Sequence, residues 1–139
     1  MPKEIFDCPV DRIVRVVDGD TQHLLLDRGW SSFQGVTTRI ESIDTPENNT
    51  TAGRLVTVVV RIWMERVAQV KYRLRWISRD LDMYGRSLGD YRDREHPAES
   101  LGEYMIAKQL AKPFADKRAP WTAEELKIAA DVAQTIIGD

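Results

Sequence analysis

The sequence predicts an α+β fold, a small β-barrel decorated with helices, as one domain spanning residues 1–139. Three observations carry this reading. Short apolar segments alternate with glycine-punctuated turns in the first half of the chain. A middle stretch repeats its polar residues at helical spacing. Two capping-box sequences open apolar-periodic runs near the C-terminus.

Residues 12–18 and 21–27 read as strands on either side of Gly19. Gly29 and Gly35 punctuate a polar loop, and a third strand runs from Thr37 to Ile43. It ends at Asp44-Thr45-Pro46, where the proline biases Thr45 away from helical geometry. Residues 52–70 pull two ways. Val56, Val58, Val59, Val60 and Ile62 favour a strand. Arg54, Thr57, Arg61, Glu65 and Gln69 recur every three or four residues, and that periodicity favours a helix. Strands are expected again from Val70 to Ser78 and, after Gly85, from Arg86 to Arg92. Ser100-Leu101-Gly102-Glu103 and Thr122-Ala123-Glu124-Glu125 then start two helices. Trp121 is placed to staple onto Leu126, and the last helix is expected to stop near Ile137 and Gly138.

Composition excludes several classes. With 42% hydrophobic and 30% charged residues, the chain is neither disordered nor collagen-like. No apolar run approaches the roughly 20 residues that cross a bilayer, so no membrane partner is expected. The stretch Met1–Asp7 lacks an apolar run after a basic start, so no signal peptide is expected, and a cytoplasmic monomer is the simplest expectation. The single Cys8 cannot form an intramolecular disulfide. A net charge of −2 argues mildly against a polyanionic partner, yet residues 54–94 hold 10 basic and 5 acidic side chains, a local +5. His23 and His96 read as surface or structural, Trp63 and Trp76 as core, and Asn48-Asn49-Thr50-Thr51 contains overlapping glycosylation sequons.

Unusual polar residues gather at the strand ends. Asp20 and Asp44 are oxygen donors suited to a hard cation such as Ca²⁺ or Mg²⁺. Arg39 and Arg86 are permanently charged forks suited to phosphate oxygens. Glu47 follows a rigid turn and suits a general base acting on water. Together they match metal-assisted phosphodiester hydrolysis, although any one of them alone is a weak signal.

The segment Val16-Val17-Asp18-Gly19-Asp20-Thr21 opens a series of three blocks. Arg39-Ile40-Glu41-Ser42-Ile43-Asp44-Thr45-Pro46-Glu47 and Asp82-Met83-Tyr84-Gly85-Arg86-Ser87-Leu88-Gly89 follow. In order and approximate spacing they resemble the signature blocks of staphylococcal nuclease homologues, the thermonucleases, and Leu110-Ala111-Lys112 resembles a later segment of that family. The resemblance covers about residues 10–115. It implies a five-stranded OB-fold barrel with three helices, and thus a helix over 52–70. It further implies a Ca²⁺-dependent nuclease that cuts DNA and RNA, single strands by preference, at the 5′ P–O bond and leaves 3′-phosphate ends. On that resemblance Asp20, Asp44 and the Thr45 carbonyl hold Ca²⁺, Glu47 activates water, and Arg39 and Arg86 bind the phosphate. Tyr84 lies near the nucleotide and Asp18 beside the metal. A non-catalytic nuclease-like domain that binds nucleic acid or protein is the alternative. The family's pocket tyrosines are absent, and Pro113, Phe114, Ala115 and Asp116 stand in their place.

Overall fold

Strand β1 (Phe6–Val16) is long enough to serve two neighbours in the computed structural model, which describes residues 5–115 and 119–139. Its first residues pair with β5 (Leu74–Leu81), and those from Val10 onward pair with β2 (Thr21–Asp27). Register shifts at Val10/Arg12 and Ile13/Arg15 bend it from one partner to the other, as bulges do. Next to β2 runs β3 (Phe33–Ile40), and next to β5 runs β6 (Ser87–Asp93). A parallel pairing of β3 with β6, Thr38 to Ser87 through Ile40 to Gly89, closes the ring. The result is a closed five-stranded OB-like barrel with three helices among the described residues.

The strand expected over 37–43 is two strands. β3 starts earlier, at Phe33, and the chain bends at Glu41-Ser42 before the short β4 (Ile43–Asp44). The Arg39 guanidinium stabilises that bend by donating to the carbonyls of Ile40 at 2.9 Å and Ile43 at 3.3 Å. The strand expected from Val70 begins only at Leu74, because residues 69–73 form a turn with Tyr72 at φ 68°. β7 (His96–Ser100) and β8 (Lys112–Pro113) carry too little pattern to show in the sequence, and β8 pairs with β4.

Periodicity prevails over β-branched propensity in the middle of the chain, where α1 (Thr51–Ala68) forms. It buries Val56, Val59, Val60 and Met64 and packs on β1 and α3 (Ala123–Gly138). Ala129 and Ala133 of α3 are fully buried small residues that let the two helices approach closely. Both expected capping boxes form, Ser100 with Glu103 at α2 (Leu101–Ala107) and Thr122 with Glu125 at α3. Trp76 is buried in the barrel and tilts against Tyr91 at 4.6 Å between ring centroids, whereas Trp63 is only half-buried. His23 is half-buried with Nδ1 2.9 Å from the Thr37 hydroxyl, and His96 is exposed. No helix among the described residues is long and apolar enough to cross a membrane.

A bidentate ion pair ties the start of β5 to the end of β6. Arg73 Nε and Nη2 each donate to Asp93 at 2.8 Å. That guanidinium, with the Glu95 amide, holds the Asp93 carboxyl below the usual carboxylate range, against the opposing effect of burial. Its folded pKa is therefore lower than its unfolded one. The pair stabilises the fold above the unfolded value of about 4, and this contribution disappears as pH falls through the lower folded value. Asp93→Asn is expected to flatten the acid limb of a plot of Tm against pH. An acid limb identical to the wild type's would remove the pair from the account.

Candidate functional site

The turn between β1 and β2 is organised from both ends. Asp18 Oδ1 accepts the amides of Asp20 at 3.1 Å and Thr21 at 2.9 Å, the local bonding that makes Asp-Gly a turn former. From inside the barrel, Gln22 Nε2 donates to the carbonyls of Asp18 and Gly19 at 3.4 and 3.3 Å. Gln22 Oε1 in turn accepts from Tyr91 at 2.9 Å and Thr38 at 3.1 Å, and all three side chains are fully buried. A satisfied network of this kind is rigid, because breaking any member strands a buried polar atom. Glycine is needed at position 19, where a Cβ would lie 2.7 Å from Thr45 Cγ2. The close approach sets Asp20 against Thr45, whose hydroxyl and amide donate to Asp20 Oδ2 at 3.1 and 3.4 Å.

Arg39 and Arg86 arrive together because β3 and β6 are paired. Arg39 is opposite Leu88 in that register, and Arg86 immediately precedes β6. Both line an open cavity of about 690 Å³ with Asp18, Asp20, Asp82 and Phe114. Arg39 is nearly buried, 3.8 Å from Asp20, and its guanidinium lies 5.1 Å from the Phe114 ring centroid. Arg86 donates from Nε to Asp82 at 2.6 Å. Asp82 also accepts the amides of Tyr84 and Arg86, so it organises the whole β5–β6 loop. Each guanidinium carries five N–H donors, so these bonds leave donors for an anion in the cavity. Tyr84 is 79% exposed, with its ring centroid 5.9 Å from the Arg86 guanidinium, and it does not line the cavity.

Glu47 faces a second, smaller cavity of about 400 Å³, shared with Asp44, Thr45 and Trp121. Its loop is braced on three sides. Thr50, the N-cap of α1, donates its hydroxyl to the Glu47 carbonyl at 2.6 Å. Asn48 donates to the Val17 carbonyl at 3.2 Å and accepts from Thr57 at 3.2 Å. Asn48 and Thr50 of the sequon stretch thus have structural work in this loop. A Cβ at Gly53 would lie 1.9 Å from the Glu47 carbonyl oxygen, so only glycine lets α1 start this close. The Glu47 side chain is exposed and pairs with no other side chain among the described residues.

Seven of the residues singled out by sequence, Asp18, Asp20, Arg39, Asp44, Thr45, Glu47 and Arg86, therefore line two cavities whose walls touch at the Asp20–Thr45 contact. Burial, then the neighbouring Asp20 carboxylate, push Asp18 up to about 6, against the amides of Asp20 and Thr21. Asp82 is held below the usual range because the amides of Arg86 and Tyr84 and the Arg86 guanidinium together outweigh its burial. Among the described residues no three His, Cys, Asp or Glu side chains converge on one point. Asp20 and Asp44 are buried carboxylates and Thr45 touches Asp20 between the cavities, so the donor chemistry available there is all oxygen, the kind a hard cation takes.

Sequence reasoning missed several contributors. Phe114 supplies an aromatic face in the stretch where the tyrosines are absent, although Asp116 of that stretch lies outside the described residues. Gln22 looked like an ordinary strand residue, and only its zero exposure distinguishes it. Trp121 was legible as a helix staple but not as a wall of the Glu47 cavity. Compared with known proteins, the chain matches no family model and no curated protein.

Proposed function

We propose that this protein is a Ca²⁺-dependent nuclease of the staphylococcal nuclease type, hydrolysing single-stranded DNA and RNA at the 5′ P–O bond. The observation that carries the reading is the pairing of β3 with β6, which sets Arg39 and Arg86 on one cavity beside Asp20. Asp20, Asp44 and the Thr45 carbonyl would hold the cation. When bound, Ca²⁺ would supply positive charge that offsets the phosphodiester's negative charge and lets a water-derived anion approach.

The remaining roles belong to this chain. The unused donors of Arg39 and Arg86 grip the phosphate oxygens as they gain charge, and one well-placed donor is worth about 10²–10³ in rate. Glu47 takes a proton from the attacking water as its oxygen bonds to phosphorus. The P–O5′ bond breaks, and the departing oxygen takes its proton from solvent, since an arginine with pKa above about 12 does not give one up. The products are a 3′-phosphate and a 5′-hydroxyl.

The test is degradation of a single-stranded DNA and of an RNA with Ca²⁺ and with a chelator. Cleavage that requires Ca²⁺ and leaves 3′-phosphate ends is the expected result. Cleavage indifferent to chelation would overturn the metal's role. Tight binding with no cleavage in Ca²⁺ would favour the non-catalytic binding domain.

A further inference from the structure

We propose that the cavity between Glu47 and Trp121 is a second nucleoside subsite, with the Trp121 ring as its stacking platform. This rests on the nuclease reading above and adds to it the place of one substrate nucleoside. A phosphodiester carries a nucleoside on each side of its phosphorus, and the protein offers two cavities meeting at the Asp20–Thr45 contact. The arginines open onto one and Glu47 onto the other. In an in-line displacement the leaving oxygen departs opposite the attacking water. The nucleoside that leaves through its 5′ oxygen therefore lies away from Glu47. The nucleoside that keeps the phosphate on its 3′ oxygen is the one able to reach the Glu47 side.

The walls suit a sugar and a base. Trp121, Pro120 and Leu126 form an apolar side facing Thr45, Asp44 and Glu47. Trp121 is fixed in place, since it immediately precedes Thr122, the N-cap of α3, and the Lys112 ammonium lies 5.2 Å from its ring centroid. Lys112 is held in turn by Glu125 at 3.2 Å and by the pairing of β8 with Asp44. The Trp121 indole N–H is buried, and among the described residues it is a buried side-chain donor with no hydrogen-bond partner. That nitrogen is shut off from the cavity, so the ring carbons of Trp121, not its N–H, are what a nucleoside there would meet.

Two substrates separate the subsite from the chemistry. Thymidylyl-3′,5′-thymidine has both nucleosides, whereas thymidine 5′-(4-nitrophenyl phosphate) lacks the 3′-linked one. Trp121→Ala is expected to raise KM about 5- to 150-fold for the dinucleoside, the span of one lost base stack, and far less for the aryl ester. Trp121→Phe keeps a ring in place and guards against a variant that misfolds. With Ca²⁺ present and Glu47→Gln in both proteins to slow cleavage, octathymidylate is expected to quench the fluorescence of the protein with Trp121 more than that of Trp121→Phe. Equal loss on both substrates, or equal quenching in the two proteins, would overturn the subsite and leave the nuclease reading standing. Quenching at Trp121 without cleavage of either substrate would overturn the nuclease reading and leave the subsite.

Discussion

Glu47→Gln is expected to slow hydrolysis of single-stranded DNA in Ca²⁺ by about 10²–10⁴-fold, the usual contribution of a positioned general base. The substitution is nearly isosteric, but the amide cannot accept the proton of an attacking water. Its structural cost is small, because the loop is held through the Glu47 main chain and Asn48, not through the Glu47 side chain. Tm and Ca²⁺ binding are therefore expected to stay near those of the wild type while the single-turnover rate falls. A rate within threefold of wild type would remove Glu47 as the base. A fall in rate matched by lost Ca²⁺ binding would instead assign the residue to the cation.

The second large effect reverses an ordinary expectation about helices. Gly→Ala inside a helix normally gains about 1 kcal/mol. At Gly53 the added methyl would lie 1.9 Å from the Glu47 oxygen, 2.5 Å from its carbonyl carbon and 2.8 Å from the Pro46 oxygen. All three are backbone atoms, and no side-chain rotation relieves the collision. Overpacking of this kind costs about 3 kcal/mol, which exceeds the propensity gain. Gly53→Ala is expected to lower Tm by about 5–10 °C and, where the chain still folds, to displace Glu47 and lower activity. A Tm at or above the wild-type value would show that α1 can start farther from the Glu47 loop.

Local interactions were legible in the sequence, and long-range ones were not. Ser100, Glu103, Thr122 and Glu125 bond within one helical turn, so their spacing alone announced both caps. The helical reading of 52–70 needed only periodicity, and its β-branched run misled only as far as propensity can. By contrast, the break after Ile40 depends on Arg39 turning back onto two carbonyls. The late start of β5 depends on the turn that carries Tyr72 at positive φ. At the site, the charged residues stood out by type and spacing. Residues that hold or wall it through burial did not, because Gln22, Asn48 and Trp121 acquire their roles only from distant partners such as Tyr91, Val17 and Lys112.

The parallel seam between β3 and β6 joins segments about fifty residues apart, with the whole of α1 and β5 between them. Every other strand contact in the barrel joins antiparallel neighbours, and the seam alone brings Arg39 level with Leu88 and so beside Arg86. Contacts of such long sequence separation form late, because the chain entropy of closing the intervening loop must be overcome first. A chain with all its helices and hairpins in place but the seam open would have a native-like far-UV signal and no paired arginines. The arginine pair of this barrel is therefore assembled at the closing stroke of folding and is the first feature forfeited when the barrel gapes.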